Sequence, residues 1–210
     1  MKDIPMFTTE NGIASLFLQE IPYKGIARIK LLSSQEPQAL LEECVDFCRA
    51  CGADSIHASG HECLERYPFV TAIWELRGEV SGGTDGCLFP LQEETAEHWR
   101  AIANERLKDV DNAATVTAKD CKAMIEEGSG YFVHRDGKLL GIGRVSDRGI
   151  ELLAAWEPGA GETVLRTLAG IVPADSISLT VASTNSKALR LYERLGFVKV
   201  KEISKWYKIL

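Results

Sequence analysis

The chain has 210 residues, of which 45% are hydrophobic and 26% charged, a balance ordinary for a soluble globular protein and long enough for one large domain or two small ones. The formal charge of −6 lies wholly in residues 1–86, which hold 7 Lys/Arg against 13 Asp/Glu, whereas residues 87–210 hold 17 of each; the acidic first part argues against a nucleic-acid partner, and the neutral second part leaves room for a polyanionic ligand. Met1-Lys2-Asp3-Ile4-Pro5 lacks the basic-then-apolar pattern of a signal peptide and no apolar run reaches the length of a membrane span, so a cytoplasmic protein without a membrane partner is expected.

In chain order, Ile13 to Gln19 and Ile26 to Leu32 read as strands joined by a turn at Pro22-Tyr23-Lys24-Gly25. A helix is expected from Pro37 to Cys51, with Gly52 as its left-handed stop. A short strand at Ser55–Ala58, a short helix at His61–Arg66 and a strand at Thr71–Arg77 follow. The glycine-rich stretch from residue 79 to 86 reads as a flexible connection, dividing a small α/β half domain (1–78) from a larger domain (87–210); a long hairpin loop inside one domain is the other reading.

Beyond it, Cys87–Gln92 reads as a strand and Glu94–Lys108 as a helix with Trp99, Ile102, Ala103 and Leu107 on one face. Thr117 caps a second helix, with Asp120 three residues on, and Gly128-Ser129-Gly130 ends it. Tyr131–Arg135 and Lys138–Val145 form a hairpin about Asp136-Gly137. Then come a strand at Ile150–Trp156, a helix at Glu162–Ile171, a strand at Ser176–Ala182, a helix at Lys187–Leu195 and a strand at Lys201–Ile209. The alternation gives an α/β (α+β) fold with a mixed sheet. A distant internal repeat is also visible: Ala53-Asp54-Ser55-Ile56 opens a strand as Ala174-Asp175-Ser176-Ile177 does, and each is followed by a related helix end, Leu64 to Phe69 against Tyr192 to Phe197.

Six cysteines are present. Cys44, Cys48 and Cys51 recur at helical spacing with Leu40, Leu41 and Phe47, so they read as small core hydrophobes. His57, His61 and Cys63 lie near them in sequence, but no pair of ligand knuckles has a zinc spacing, and no metal is expected.

The phrase from Val181 to Phe197, with Asn185, then Ala188 three residues on, then Leu191-Tyr192-Glu193-Arg194-Leu195-Gly196-Phe197, resembles the C-terminal signature of the GNAT N-acetyltransferase superfamily. The order of elements from Cys87 to Leu210 matches that fold throughout, and the first part resembles a degenerate copy in a tandem arrangement. The resemblance implies a splayed mixed sheet, acetyl-CoA as co-substrate, and direct transfer of an acetyl group to an amine of a small molecule or peptide, in a monomer or homodimer.

On that basis Tyr192 is expected to be the general acid for the departing thiolate, against a plain packing role for its ring. Asn185 is expected to bind cofactor or backbone, and Ala155 and Trp156 to offer backbone amides to the acyl carbonyl. Gly159, Ala160, Gly161, Glu162 and Thr163 match the phosphate loop, with glycines that let backbone approach a pyrophosphate at a helix start. The first position of that loop is Trp156 where the family carries Gln or Arg, the loop is short, and Glu157 and Glu162 oppose an anion; Arg166 or Arg194 would compensate. Glu151 stands where some family members carry a general base; a structural carboxylate is the alternative, with an ordered water as base. His98 and His134 read as surface residues. A non-catalytic module with this fold, which holds CoA or nothing and works through a partner, is the rival to an enzyme.

Overall fold

The computed structural model describes residues 2–80, 86–173 and 176–210, which fall into two compact units. The first comprises Met1–Ile73 and Ile203–Leu210, the second Trp74–Glu202. The units therefore divide within two strands, at Ile73/Trp74 and Glu202/Ile203, and not at the glycine-rich segment; residues 81–85 of that segment lie outside the described residues.

Unit one begins with β1 (Ile4–Thr9), β2 (Gly12–Phe17), the helical turn α1 (Ile21–Lys24) and β3 (Ile26–Ser34). Helix α2 (Pro37–Ala50), β4 (Ser55–Ser59), a 3-10 turn at Glu62–Arg66 and the first half of β5 (Phe69–Gly78) follow. β1, β2 and β3 form an antiparallel meander, and α2 then crosses to β4, which lies parallel to β3 from Ile26↔Ser55 to Lys30↔Ser59. The end of β11 (Val198–Lys208) closes this sheet by pairing antiparallel with β4, Tyr207 opposite Ala58.

Pro37 suits the first turn of α2 because its missing N–H has no partner to lose there. One stripe of α2, Leu40, Leu41, Cys44 and Cys48, is fully buried against Leu16, Ile29 and Ile56. Burial pushes the Cys44 and Cys48 thiols up to about 12, so both stay protonated at neutral pH. Two local features differ from the sequence reading: β1 is an additional strand, and the Pro22–Gly25 segment is a helical turn closed by Gly25 at φ 67°.

Unit two contains β6 (Cys87–Pro90), α3 (Ala96–Leu107), α4 (Ala118–Glu127), β7 (Gly130–Arg135), β8 (Lys138–Ser146), β9 (Gly149–Ala155), α5 (Gly161–Ala169), β10 (Ile177–Ala182) and α6 (Ser186–Arg194). Its strand order is β5-β10-β9-β8-β7-β6. The two faces of the sheet serve two cores, with a bulge at Leu140 of β8 interrupting the simple alternation. Val133, Leu140, Leu179 and Val181 pack with Val164, Leu165 and Leu168 of α5. Phe132, Ile142 and Ala154 pack with Trp99, Ile102 and Ala103 of α3 and Met124 of α4.

The Thr117 cap is reciprocal: its hydroxyl accepts from Asp120 N–H while the Asp120 carboxylate accepts from Thr117 N–H at 2.7 Å. Asp136 and Gly137 both have positive φ, 52° and 74°, as a two-residue hairpin turn of this hand requires. Each unit thus runs through a meander of three antiparallel strands, a helix and a parallel strand: β1-β2-β3-α2-β4 and β7-β8-β9-α5-β10. This shared order parallels the sequence repeat, of which Ala174 and Asp175 lie outside the described residues. Among the described residues no helix is long and apolar enough to cross a membrane, and no group of three or more His, Cys, Asp or Glu side chains could hold a metal ion.

Candidate active site

The sheet of unit two opens between β9 and β10. These parallel strands pair only at their start, Ser178 with Gly149 and Leu179 with Ile150. On its other edge β9 stays paired with β8 to Ala155, opposite Gly141. The Trp156 N–H donates to Leu140 O at 2.8 Å, which fixes the alternation along this ladder. Residues 156, 154 and 152 turn their backbone groups to β8, and Ala155 and Leu153 turn theirs toward the opening. Of the two amides expected to meet an acyl carbonyl, that of Trp156 is therefore taken, and that of Ala155 faces the opening.

A bulge starts the divergence. Arg144 faces Leu152 and the next residue, Val145, faces Ile150, so Glu151 is the extra residue of β9. Its carboxylate lies 3.1 Å from Arg144 Nε, in a contact that lacks hydrogen-bond alignment, and Arg144 also reaches Glu127 at 3.0 Å. Glu151 is thus engaged in an exposed ion-pair chain between β8, β9 and α4.

After β9 the chain turns through Gly159, at φ 84°, into α5. Ala160 is the residue before the helix, and no side chain caps it, so the first-turn amides of Gly161, Glu162 and Thr163 have no intrahelical partner. The start of α5 abuts α6 so closely that a Cβ on Gly161 would lie 3.0 Å from Leu191 Cδ2. Across this junction the Glu162 carboxylate bridges Arg166 Nε at 3.0 Å and Arg194 at 3.2 Å. The hydrogen bond from Arg166 holds the Glu162 carboxyl below the ordinary carboxylate range, with Arg194 adding to the effect. Both arginines that could answer an anion at this helix start are therefore occupied by an internal carboxylate.

Asn185 caps α6: its side-chain oxygen accepts from Ala188 N–H at 3.2 Å. Tyr192, two turns on, is 7% exposed and shares a core cluster with Ala160 and Val164, its ring centroid 5.7 Å from that of Phe197. Burial raises its phenol to about 12. Its hydroxyl makes no hydrogen bond among the described residues and is not sealed from solvent.

Two residues that the sequence did not mark complete the surroundings. Arg106, at the end of α3, stacks its guanidinium 4.8 Å from the centre of the Trp156 ring and donates to the Trp156 carbonyl. Asp111, in the segment after α3, accepts from the Thr184 hydroxyl at 2.7 Å. The α3–α4 segment is thereby tied to the ends of both strands that border the opening. Neither residue carries a sequence signal, since each is one charge in the run from Glu105 to Asp111 and its partner lies fifty or more positions away.

No protein-family model matches the chain, and no curated protein matches it in sequence. Solved structures do match. A GCN5-related N-acetyltransferase from Sphaerobacter thermophilus superposes with a TM-score of 0.59 at 12% identity, over 93% of this chain and 75% of that one. One from Kribbella flavida gives 0.59 at 15% identity, over 97% and 88%. A tandem GNAT protein from the clavulanic acid biosynthesis pathway gives 0.56 at 13% identity, over 94% and 78%. The chain has a GNAT-like fold; at these identities the likeness concerns fold and not chemistry.

Proposed function

We propose that this protein is an N-acetyltransferase that moves an acetyl group from acetyl-CoA directly to the amine of a small-molecule or peptide acceptor. The observation that carries the reading is the run of β9 beyond Ile150 that does not pair with β10, with the Ala155 amide on that open side and the Tyr192 hydroxyl, on a side chain 7% exposed, without a hydrogen-bond partner among the described residues. Acetyl-CoA, when bound, would supply a thioester carbonyl for a neutral amine to attack.

The residues fit such a group in part. The first-turn amides of α5, reached through the Gly159 turn, suit a pyrophosphate, and the Nδ2 donor of Asn185 remains for a carbonyl. Glu162 opposes the phosphates until Arg166 or Arg194 exchanges its carboxylate for them. The Ala155 N–H would polarise the acyl carbonyl. Tyr192, which keeps its proton throughout the neutral range, would deliver it to the sulfur as the C–S bond breaks and the C–N bond forms. Glu151 is the candidate base for the proton lost by the amine. Its carboxylate is engaged by Arg144 at 3.1 Å, a contact that an incoming amine would have to displace.

The Glu162 bridge and the Trp156 side chain at the head of the loop favour a second reading, a module of this fold that does not turn over. Calorimetry with acetyl-CoA, followed by thiol release across a panel of amines, decides between them. Binding with amine-dependent release supports the transferase; binding without release on any amine supports the module; no binding at millimolar acetyl-CoA overturns the transferase and leaves only a module that works through a partner.

A further inference from the structure

The last turn of α3 and the segment that leads to α4 form a strap, residues 104–117, beside the β9–β10 opening. Its base is closed by Asn104, whose side-chain nitrogen donates to Val116 O at 3.0 Å while its oxygen accepts from Val116 N–H at 2.8 Å. Within the strap Ala113 N–H donates to Val110 O at 3.1 Å, and Asn112 takes the left-handed conformation, φ 62°, that asparagine adopts more readily than most residues. A segment clasped at its base and bonded within itself is a compact body, not a free tether.

This body holds each side of the opening by a charged side chain. Arg106 holds the end of β9, through its stack on the Trp156 ring and its bond to the Trp156 carbonyl. Asp111 holds the turn after β10: its carboxylate accepts from the Thr184 hydroxyl at 2.7 Å, the length of a charge-assisted bond. Neither Arg106 nor Asp111 forms an ion pair among the described residues, whereas Arg166 and Arg194 share Glu162. Their charges are thus given to these two contacts. The sheet itself does not fix the spacing, because β9 and β10 share no rung beyond Ile150 and Leu179. The residues held are also next to those the reaction would use. Trp156 follows Ala155, whose N–H faces the opening, and Thr184 precedes Asn185, which caps the helix that carries Tyr192.

We propose that Arg106 and Asp111 are positioning residues that set the width of the β9–β10 opening. Acting through Trp156 and Thr184, they hold the Ala155 N–H and the Tyr192 hydroxyl at a fixed separation before any ligand arrives. Their effect on turnover rests on the transferase reading; their hold on the opening does not. A displacement of about 1 Å at a reacting group can cost up to ~10²-fold in rate, so even a small change in this width would be felt in catalysis.

The first test uses NMR of the full chain without ligand. Asp111→Ala and Thr184→Ala remove the same bond, so both should shift the Asn185 and Ala188 amide resonances and, through the strap, the Trp156 indole resonance. Thr184→Ser keeps the hydroxyl and should give the parent spectrum. The second test is steady-state thiol release from acetyl-CoA with an amine that the parent accepts. Asp111→Ala and Thr184→Ala should each lower kcat about tenfold, and the double variant no further, with the KM for acetyl-CoA within about twofold of the parent's. Thr184→Ser should restore kcat, and Arg106→Lys, which keeps the charge without the planar fork, should not restore the loss seen in Arg106→Ala. Thermal melts confirm that every variant is folded. The proposal is overturned if Asp111→Ala leaves the Asn185 and Trp156 resonances in place. Parent-like kcat in the single variants of an active protein, or losses that add in the double variant, would also overturn it. If the resonances move together but no protein, the parent included, releases thiol, the transferase reading fails and the hold on the opening stands.

Discussion

The Cβ that Gly149 lacks would lie 1.8 Å from the carbonyl oxygen of Ser178. These residues form the first rung of the short β9–β10 pairing, so their close approach sets the point from which the strands diverge. Gly149→Ala would force backbone from backbone at that rung. The expected loss is at least about 1–3 kcal/mol, the usual cost of overpacking, and denaturant unfolding measures it. A variant as stable as the parent would show that the rung can shift and does not fix the opening.

Tyr192→Phe should lower turnover by ~10²–10⁴ while acetyl-CoA affinity and thermal stability stay near the parent's. The hydroxyl makes no hydrogen bond among the described residues, so its removal leaves no orphan there, and the ring keeps its place beside Phe197. Calorimetry and stopped-flow thiol release separate the two effects. Unchanged turnover would return Tyr192 to a packing role.

The pH profile gives a separate check. A Tyr192 phenol at about 12 in the fold and near 10 when unfolded means that the folded state holds the extra proton between those values. Stability should therefore be independent of this group below pH 10 and fall as pH rises from 10 toward 12. Turnover should show no loss attributable to Tyr192 through pH 10. A falling limb centred on 10 that Tyr192→Phe abolishes would contradict the buried, proton-retaining phenol.

Glu162 carries the opposite sign. Its carboxyl is held below the reference value of 4.5, chiefly by the Arg166 hydrogen bond, so the bridge is intact above 4.5 and is lost as pH falls through the lowered value. NMR titration of the side chain should show this, with Arg166→Gln moving the midpoint back toward 4.5. At neutral pH, Glu162→Gln should tighten acetyl-CoA binding roughly two- to fivefold at low salt, less at high salt, by freeing both arginines. Weaker binding in Glu162→Gln would mean that the carboxylate supports the site.

Thr117→Ala removes one half of a reciprocal cap and should destabilise unit two by about 1 kcal/mol. Thr117→Ser should restore most of it. Thermal unfolding of the two variants measures both effects.

Much of the fold was legible because its signals are local. The Thr117–Asp120 cap, the Asp136-Gly137 turn and the apolar stripe of α2 each lie within a few residues of chain. β1 was missed because Pro5 within Ile4–Thr9 counts against a strand, although an edge strand tolerates it. In the site, the Asn185–Tyr192 phrase was visible because helix spacing places its residues. The remaining features depend on elements far apart in sequence: Glu162 shared with Arg194, Arg106 stacked on Trp156, Asp111 bound to Thr184, and Glu151 displaced into a bulge beside Arg144. His98 is exposed, in line with its reading as a surface residue, whereas His134 is half-buried with Nδ1 closed to water, which no local signal shows.

Unit one draws on both extremes of the chain. Ile203–Leu210 cover the free edge of β4, where Ile209 N–H donates to Ile56 O and Tyr207 joins the core. During synthesis residues 4–73 of this unit emerge well before residues 203–210, which complete it. Between those moments β4 has an unsatisfied edge, the kind of surface that recruits other nascent strands. The loop closed by that final pairing spans nearly 150 residues, so its formation belongs to the slow, late part of folding.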